Sequence, residues 1–450
     1  MTKFSFDEAI EYVKALDVYG SVLGLDNMHA LAKELDNPED GLKFVHVTGT
    51  NGKGSVCAFL SNILMQAGYK VGAYNSPAVL GDTDQFSINM KTIEKSLYAE
   101  AVSLVKDACD RITAAGGIQP TRFEVETMTA FVAFYIEGCD IVVLETGLGG
   151  RDDATNIVKN TLLHIFTSIS LDHSAVLGNT LEEIADVKSG IIKTSAPVIM
   201  YEKRDCSYKS VIARKCIEMG ADLYPVKKDC VSLLRVTDDS LIFDICMQDE
   251  LDEEDPIELR DVTIKMKGAY QPVNAAIAIK AAYALKNQGM NITEADVLKG
   301  LSEAEIPFRF EIINGRDDVL LILDGAHNPD GATKLRDSLM LNFKGRKFIF
   351  ITGIFKDKDY EQICKITGGI AEKVYAVENT DSERALPKEM LGAVLKKYND
   401  YVEIIDDIGA AVGCALQDAD SIIDTDGNHP IVVCFGSLSW LRKVKADKYK

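Results

Sequence analysis

The 450-residue chain predicts an α/β protein: a parallel-sheet domain with a small antiparallel insertion, followed by a smaller Rossmann-like C-terminal domain. Three observations carry this. Near-continuous apolar strands such as Asp140-Ile141-Val142-Val143-Leu144 alternate with helical segments, the pattern of a parallel sheet covered on both faces. From about 222 to 266 the texture becomes short alternating runs, and after Pro307 a second strand–helix series begins.

The elements follow in order. Residues 6–35 read as two helices separated near Tyr19-Gly20, with Ala9, Ile10, Val13 and Leu16 on one face. Lys43-Phe44-Val45-His46-Val47 is a buried strand, followed by a glycine-rich turn, a helix through Val56, Phe59, Leu60, Ile63 and Leu64, and a strand at 69–74. Gly68 stands where a helix C-terminus calls for it. Helices are expected at 94–114, 125–137 and 181–192, with a further strand at 162–166. The insertion carries an acidic run, Asp249 to Asp255, read as solvated surface charge. Helices return at 272–287 and 293–303. The second series has strands at 319–323, 347–351, 373–377 and 430–435, without the G-x-G-x-x-G turn of a dinucleotide site. Domains of 1–303 and 304–450 result.

A net charge of −20 argues against nucleic-acid or anionic-membrane partners, which need a basic field. No apolar stretch reaches transmembrane length, and the N-terminus lacks a leader-like apolar core, so a cytoplasmic protein is expected. The ten cysteines include no C-x-x-C pair, and Cys57, Cys139 and Cys434 sit in apolar runs as reduced core residues.

The segment Gly49-Thr50-Asn51-Gly52-Lys53-Gly54-Ser55 joins the first strand to its helix. Its glycines free the backbone to wrap an anion, and the helix N-terminus supplies N–H donors. Lys53 adds a full charge for the β and γ phosphates, and Ser55 a hydroxyl for magnesium. The spacing differs from the common P-loop, because Gly54 separates Lys53 from Ser55 and Val47 replaces the first glycine. A P-loop-type ATPase domain is the expectation. Glu145 and His173 each follow an apolar strand, at the carboxyl edge where ligands of parallel sheets gather, and Glu145 is suited to magnesium there.

These pieces together resemble the folylpolyglutamate synthase and dihydrofolate synthase family of the Mur ligases. The resemblance spans essentially the whole chain: the loop Gly49–Ser55, Ser76-Pro77, Leu144 to Arg151 with Asp153-Ala154-Thr155-Asn156, Leu171-Asp172-His173, Lys188-Ser189-Gly190, Gln271 with Asn274, Arg309-Phe310, Asp324 to Pro329, Asp357-Lys358-Asp359 and Gly436-Ser437. It implies a ligase that activates a folate or dihydropteroate carboxylate with ATP as an acyl phosphate, which the amine of L-glutamate then displaces. By the same resemblance Lys53, Lys188 and His173 are catalytic. Asn274, Arg309, Asp324 and His327 join the loop in binding nucleotide. Ser55, Glu145, His173 and Lys188 hold or support two magnesium ions, Lys188 as a carbamate. Ser76, Pro77, Phe123, Glu124 and Asp153 meet the acceptor, with Arg122 beside them. A monomer is implied.

Five positions depart from the family pattern. Ala78 stands for a His after Ser76-Pro77, and Phe86-Ser87-Ile88-Asn89 lacks the usual Arg. Val187, Tyr270 and Phe308 stand for Glu, His and Gly. The first two lie on the acceptor side. Those two leave open a paralogous carboxylate–amine ligase with another acceptor, and Val187 and Tyr270 a non-catalytic nucleotide-binding protein.

Overall fold

Every residue of β1 (Phe44–Thr48) is buried, as expected of a strand covered on both faces. The computed structural model describes residues 3–448 except 21, 23, 205, 248–255, 315–318, 380–383 and 424–426. The chain forms two compact units. One comprises Met1–Leu234, Phe243–Thr263 and Val273–Glu305; the other comprises Arg235–Ile242, Ile264–Pro272 and Ile306–Lys450.

In the first unit β1 is joined by β2 (Val71–Tyr74), β3 (Phe86–Ile88), β4 (Lys91–Thr92), β5 (Ile141–Glu145), β6 (Thr161–Phe166), β7 (Val198–Glu202) and β8 (Leu223–Lys227). The order is β4-β3-β2-β5-β1-β6-β7-β8. All pairs from β2 to β8 are parallel, and β3 and β4 add an antiparallel edge. Val47 on β1 stands opposite Glu145 on β5, so the loops leaving these strands emerge together at the carboxyl edge.

The helices of this unit are α1 (Phe6–Ala15), α2 (Asp26–Glu34), α3 (Lys53–Gln66), α4 (Lys95–Ala114), α5 (Arg122–Ile136), α6 (Ser174–Leu177), α7 (Leu181–Ser189) and α8 (Lys209–Met219). Thr121 and Thr180 start α5 and α7 through capping boxes with Glu124 and Glu183. That box places the start of α5 at Arg122, three residues ahead of the expected 125. Gly190 ends α7 at Ser189, short of the expected 192. The first thirty-odd residues hold α1 and α2 with a 3₁₀ turn at Leu16–Tyr19, and Ala9, Val13 and Leu16 are buried as their spacing predicts.

Two helices follow, α9 (Gln271–Asn287) and α10 (Glu294–Glu303). Gly300 of α10 lets it approach α3 closely, because a Cβ there would lie 2.5 Å from Ile63 N.

The expected antiparallel insertion needs one correction. Leu223–Lys227 is β8, the parallel edge strand of the large sheet, where Pro225 costs no interior ladder bond. A separate three-stranded sheet, β11-β10-β9, is made by β9 (Val231–Val236), β10 (Leu241–Met247) and β11 (Ile257–Ile264). The acidic run Asp249 to Asp255 lies outside the described residues.

The second unit holds β12 (Glu311–Asn314), β13 (Leu320–Asp324), β14 (Phe348–Thr352), β15 (Lys373–Ala376), β16 (Val402–Ile404) and β17 (Ile431–Phe435), ordered β12-β13-β17-β14-β15-β16. Only β12 runs antiparallel. Helices α11 (Pro329–Asn342), α12 (Tyr360–Thr367), α13 (Lys388–Leu395), α14 (Ile408–Ser421) and α15 (Leu438–Lys448) connect and follow the strands. Trp440 is fully buried and donates through Nε1 to Gly353 O at 3.0 Å. Among the described residues, no helix is long and apolar enough to cross a membrane.

Gly300→Val should destabilise the first unit by about 2–3 kcal/mol, since the added carbons meet backbone that cannot yield. Gly413→Ala on α14 meets nothing within 4 Å and should stabilise slightly, by about 0.5–1 kcal/mol. Denaturant midpoints of the two variants, compared with the parent, check both signs.

Candidate active site

After Thr48 the chain turns into α3 through Gly49 and Gly52, with φ of +147° and +97°, a region that side chains disfavour. Space imposes the same choice. A Cβ on Gly49 would stand 1.9 Å from Thr167 Oγ1, and one on Gly52 2.8 Å from Asn274 Oδ1. The loop is strapped to the segment after β6. Thr167 N donates to Thr48 O (2.9 Å), Thr50 N to Ser168 O (2.7 Å), Thr50 Oγ1 to Ser170 O (3.0 Å) and Ser168 Oγ to Asn51 O (2.9 Å). No side chain caps α3, so its first-turn N–H groups and positive dipole end face the loop, a site suited to an anion.

Two lysines converge here. Lys188 of α7 is 3% exposed and donates to Gly49 O at 2.8 Å, and Lys53 Nζ lies 3.3 Å from the same oxygen. Lys53 is also 3.7 Å from Glu145 Oε1 at the end of β5. Burial first, then the charge of Lys53, pulls the Lys188 ammonium down to about 7, against the carboxylates of Asp153 and Asp172. The neutral amine is therefore favoured relative to that of an exposed lysine.

The loop after Glu145 is held equally closely. Thr48 Oγ1 donates to Gly149 O at 2.7 Å, and a Cβ on Gly150 would sit 2.6 Å from Lys188 O. Val187, one of the departures, packs against Gly149. Asp153 accepts from Leu148 N at 2.7 Å and Thr155 N at 3.1 Å. Burial raises its carboxyl, with these hydrogen bonds opposing. Its carboxylate therefore shapes the loop. His173 lies just beyond the strap, at φ +51° and ahead of α6. Its N–H donates to Asp172 Oδ1 at 2.8 Å, and its Nε2 is 3.9 Å from that oxygen. Sequence reasoning gave Asp172 no role, although it bears on Lys188; the available signal was an acid at a strand's carboxyl end.

At the end of β2, Ser76-Pro77 is a cis peptide. The Phe123 ring lies against Gly147 and 6.3 Å from Tyr74, centroid to centroid. Glu124 holds the start of α5 in place, because its Oε2 accepts from Thr121 N (2.7 Å), Thr121 Oγ1 (2.8 Å) and Asn27 Nδ2 (3.2 Å).

In the second unit, Arg309, Asp324 and His327 gather at the carboxyl end of β13. Asp324 accepts from Phe310 N and Ala326 N, both at 2.8 Å, and from the Tyr270 hydroxyl at 3.5 Å. Burial raises its carboxyl to about 6, with Arg309 opposing. His327 Nδ1 is 2.8 Å from Gly325 O. Phe308 keeps a glycine-like φ of +58°, and its carbonyl accepts from Gly325 N at 2.8 Å. Phe308 thus takes a left-handed conformation that costs a side chain about 1–2 kcal/mol, set against complete burial of the ring.

The donors at the loop suit a hard cation. Ser55 is 1% exposed and Glu145 5%, and both offer oxygen. Among the described residues, no three His, Cys, Asp or Glu side chains converge on one point. Magnesium needs no such cage, because phosphates and water complete its octahedron.

Comparison with known proteins agrees with this geometry. Residues 47–282 match the Mur ligase middle domain, and residues 308–438 the Mur ligase glutamate ligase domain. The chain is 30% identical over 443 residues to a dihydrofolate synthase/folylpolyglutamate synthase of Bacillus subtilis, covering 98% of each chain. It is 32% identical over 350 residues to the Escherichia coli protein of the same description, covering 78% of this chain and 76% of that one. Among solved structures, folylpolyglutamate synthase of Thermotoga maritima aligns with a TM-score of 0.81 at 30% identity, covering 98% and 97%. E. coli FolC in complex with DHPP and ADP aligns with a TM-score of 0.82 at 28% identity, covering 99% and 98%. With two strapped loops at one sheet edge, both Mur ligase domains and relatives matched end to end, the chain belongs to the folylpolyglutamate synthase and dihydrofolate synthase family of Mur ligases.

Proposed function

We propose that this chain joins L-glutamate to a folate carboxylate at the expense of ATP, acting as a folylpolyglutamate synthase and on dihydropteroate as a dihydrofolate synthase. The observation that carries the reading is the convergence of Lys53 and Lys188 on the Gly49 carbonyl beside Glu145. A carboxylate and a triphosphate repel each other, so their reaction needs positive charge where they meet, which Lys53 supplies beside the group on Lys188. The relative solved with DHPP and ADP supports both the acceptor class and the nucleotide.

In this reading residues 1–303 form the ATP-binding part and 304–450 the glutamate ligase part. The backbone of Gly49 to Ser55 and the N-terminus of α3 hold the phosphates, with Asn274, Arg309, Asp324 and His327 completing the nucleotide contacts. Ser76, Pro77, Phe123, Glu124 and Asp153 border the acceptor, Glu124 and Asp153 also fixing the elements that carry them. Lys53 draws charge from the γ-phosphoryl group as the acceptor carboxylate attacks it, breaking the bond to ADP. The resulting acyl phosphate loses inorganic phosphate to the glutamate amine, whose proton departs as the amide forms. Magnesium, where bound, would be held by Ser55 and Glu145, with a second ion on Glu145, His173 and a carbamylated Lys188, and would supply charge neutralisation. The lowered Lys188 amine fits carbamylation, because CO₂ reacts with the neutral form.

Ala78 and the loop 86–89 sustain a second reading, a carboxylate–amine ligase with a different acceptor.

Incubation with ATP, labelled glutamate and either dihydropteroate or tetrahydrofolate should give ATP-dependent incorporation. If neither is labelled but an unrelated carboxylic acid is, the second reading holds. Lys53→Met should lower kcat by about 10²–10³-fold with the fold intact by circular dichroism; near-parental turnover would remove Lys53 from the chemistry. Lys188→Ala should lose activity and regain part of it with formate or acetate, and rescue by methylamine alone would show that the ammonium matters instead. With ¹³C-bicarbonate, a carbamate signal dependent on Lys188 should grow as pH rises through about 7, as the ammonium gives up its proton.

A further inference from the structure

At the far end of the loop that follows Glu145, the first unit carries a cavity of about 400 Å³ between α7 and α8, bordered by Arg151, Asp186, Lys193, Arg214, Lys215 and Glu218. Four cations face two carboxylates, in a chain whose net charge is −20. Arg151 holds Asp186 at 2.6 Å, Arg214 stands 3.9 Å from the same carboxylate, and Lys215 meets Glu218 at 2.8 Å. Lys193 forms no ion pair among the described residues; its ammonium donates to the Asn156 carbonyl. Burial and nearby Lys159 lower it to about 8, which leaves it charged at neutral pH. The floor is apolar, with buried Ile192 beside Val211 and Met219.

Position ties this cavity to the site already described. Segment 147–151 begins at Gly147, against the Phe123 ring, passes Gly150 against Lys188, and ends at Arg151 in the cavity wall. Ser189 and Gly190, next to Lys188, line it too. The volume is that of a small-molecule pocket. Cations at separate points over an apolar floor suit a ligand that alternates carboxylates with methylene segments. A compact phosphate would leave the floor uncovered.

We propose that this cavity is an exosite for the carboxylates of a γ-linked glutamate chain, an inference that rests on the folate–glutamate reading above for the source of that chain. Each γ-linked residue contributes one α-carboxylate to the cations and two methylenes to the floor. Binding there retains a substrate or product by its tail, so that acceptors with longer tails bind more tightly than those with a single glutamate.

The test titrates free tri-γ-glutamate, by calorimetry, into the full chain saturated with ADP, so that the phosphate loop is occupied. One site is expected, with affinity reduced at least tenfold in Arg214→Glu, a mutation of a side chain that is 74% exposed. In the ligase assay the same variant should raise KM for a triglutamyl acceptor severalfold and leave kcat and KM for the monoglutamyl acceptor unchanged. Absence of peptide binding, equal binding by Arg214→Glu, or pyrophosphate binding as tightly as the peptide would each overturn the proposal. Arg214-dependent peptide binding without turnover of any folate acceptor would support the exosite and count against the ligase reading alone.

Discussion

The carbonyl of Gly49 is the point on which the first unit's chemistry depends. It accepts from Lys188 and lies within reach of Lys53, and it points where it does because the residue sits at φ +147° against Thr167. The Lys53 ammonium at this oxygen, beside the first-turn N–H groups of α3, makes a positive patch in an otherwise acidic chain. Such a patch attracts phosphate strongly, because low-dielectric surroundings screen it poorly. Burial of Lys188 has a second consequence: the energy that favours its neutral form also makes the amine nucleophilic.

Sheet topology brings these groups together. Pairing β1 with both β5 and β6 sets three carboxyl ends side by side, delivering Gly49, Glu145 and the Thr167–Ser170 strap to one edge. The close contacts at Gly147, Gly149 and Gly150 then let the second loop press against Phe123 and α7. The loops are therefore held by packing and hydrogen bonding, as pre-organised electrostatics require. In the second unit Asp324 plays a comparable part at the end of β13, joining two backbone N–H groups from separate turns.

Much of this was legible in the sequence, for identifiable reasons. Apolar continuity marks buried parallel strands, so β1, β5, β13, β14, β15 and β17 are found within a residue or two. Gly49 and Gly52 announce a turn with positive φ, and Lys53 and Ser55 announce what the turn is for. Other features carried no such signal. The strap from Thr167 to Ser170 is held by hydroxyls and backbone groups with no characteristic spacing. Short strands such as β12 and β16 offer too few residues for a period to show. β8 carries a proline and little buried surface, so it reads like the alternating segment that follows it. Glu124, read as an acceptor contact, also closes the capping box of α5, a structural role that the residue type alone does not announce. Phe308 stands where the family pattern has Gly, and its positive φ is not something its residue type announces.

Transfer of the γ-phosphoryl group to the acceptor's own carboxylate is the step on which the proposed function most depends. Single-turnover reaction of a folate acceptor labelled with ¹⁸O in its γ-carboxylate, followed by mass spectrometry of the phosphate released, tests this directly. An acyl phosphate leaves one ¹⁸O in each inorganic phosphate formed. Unlabelled phosphate accompanying amide formation would contradict it.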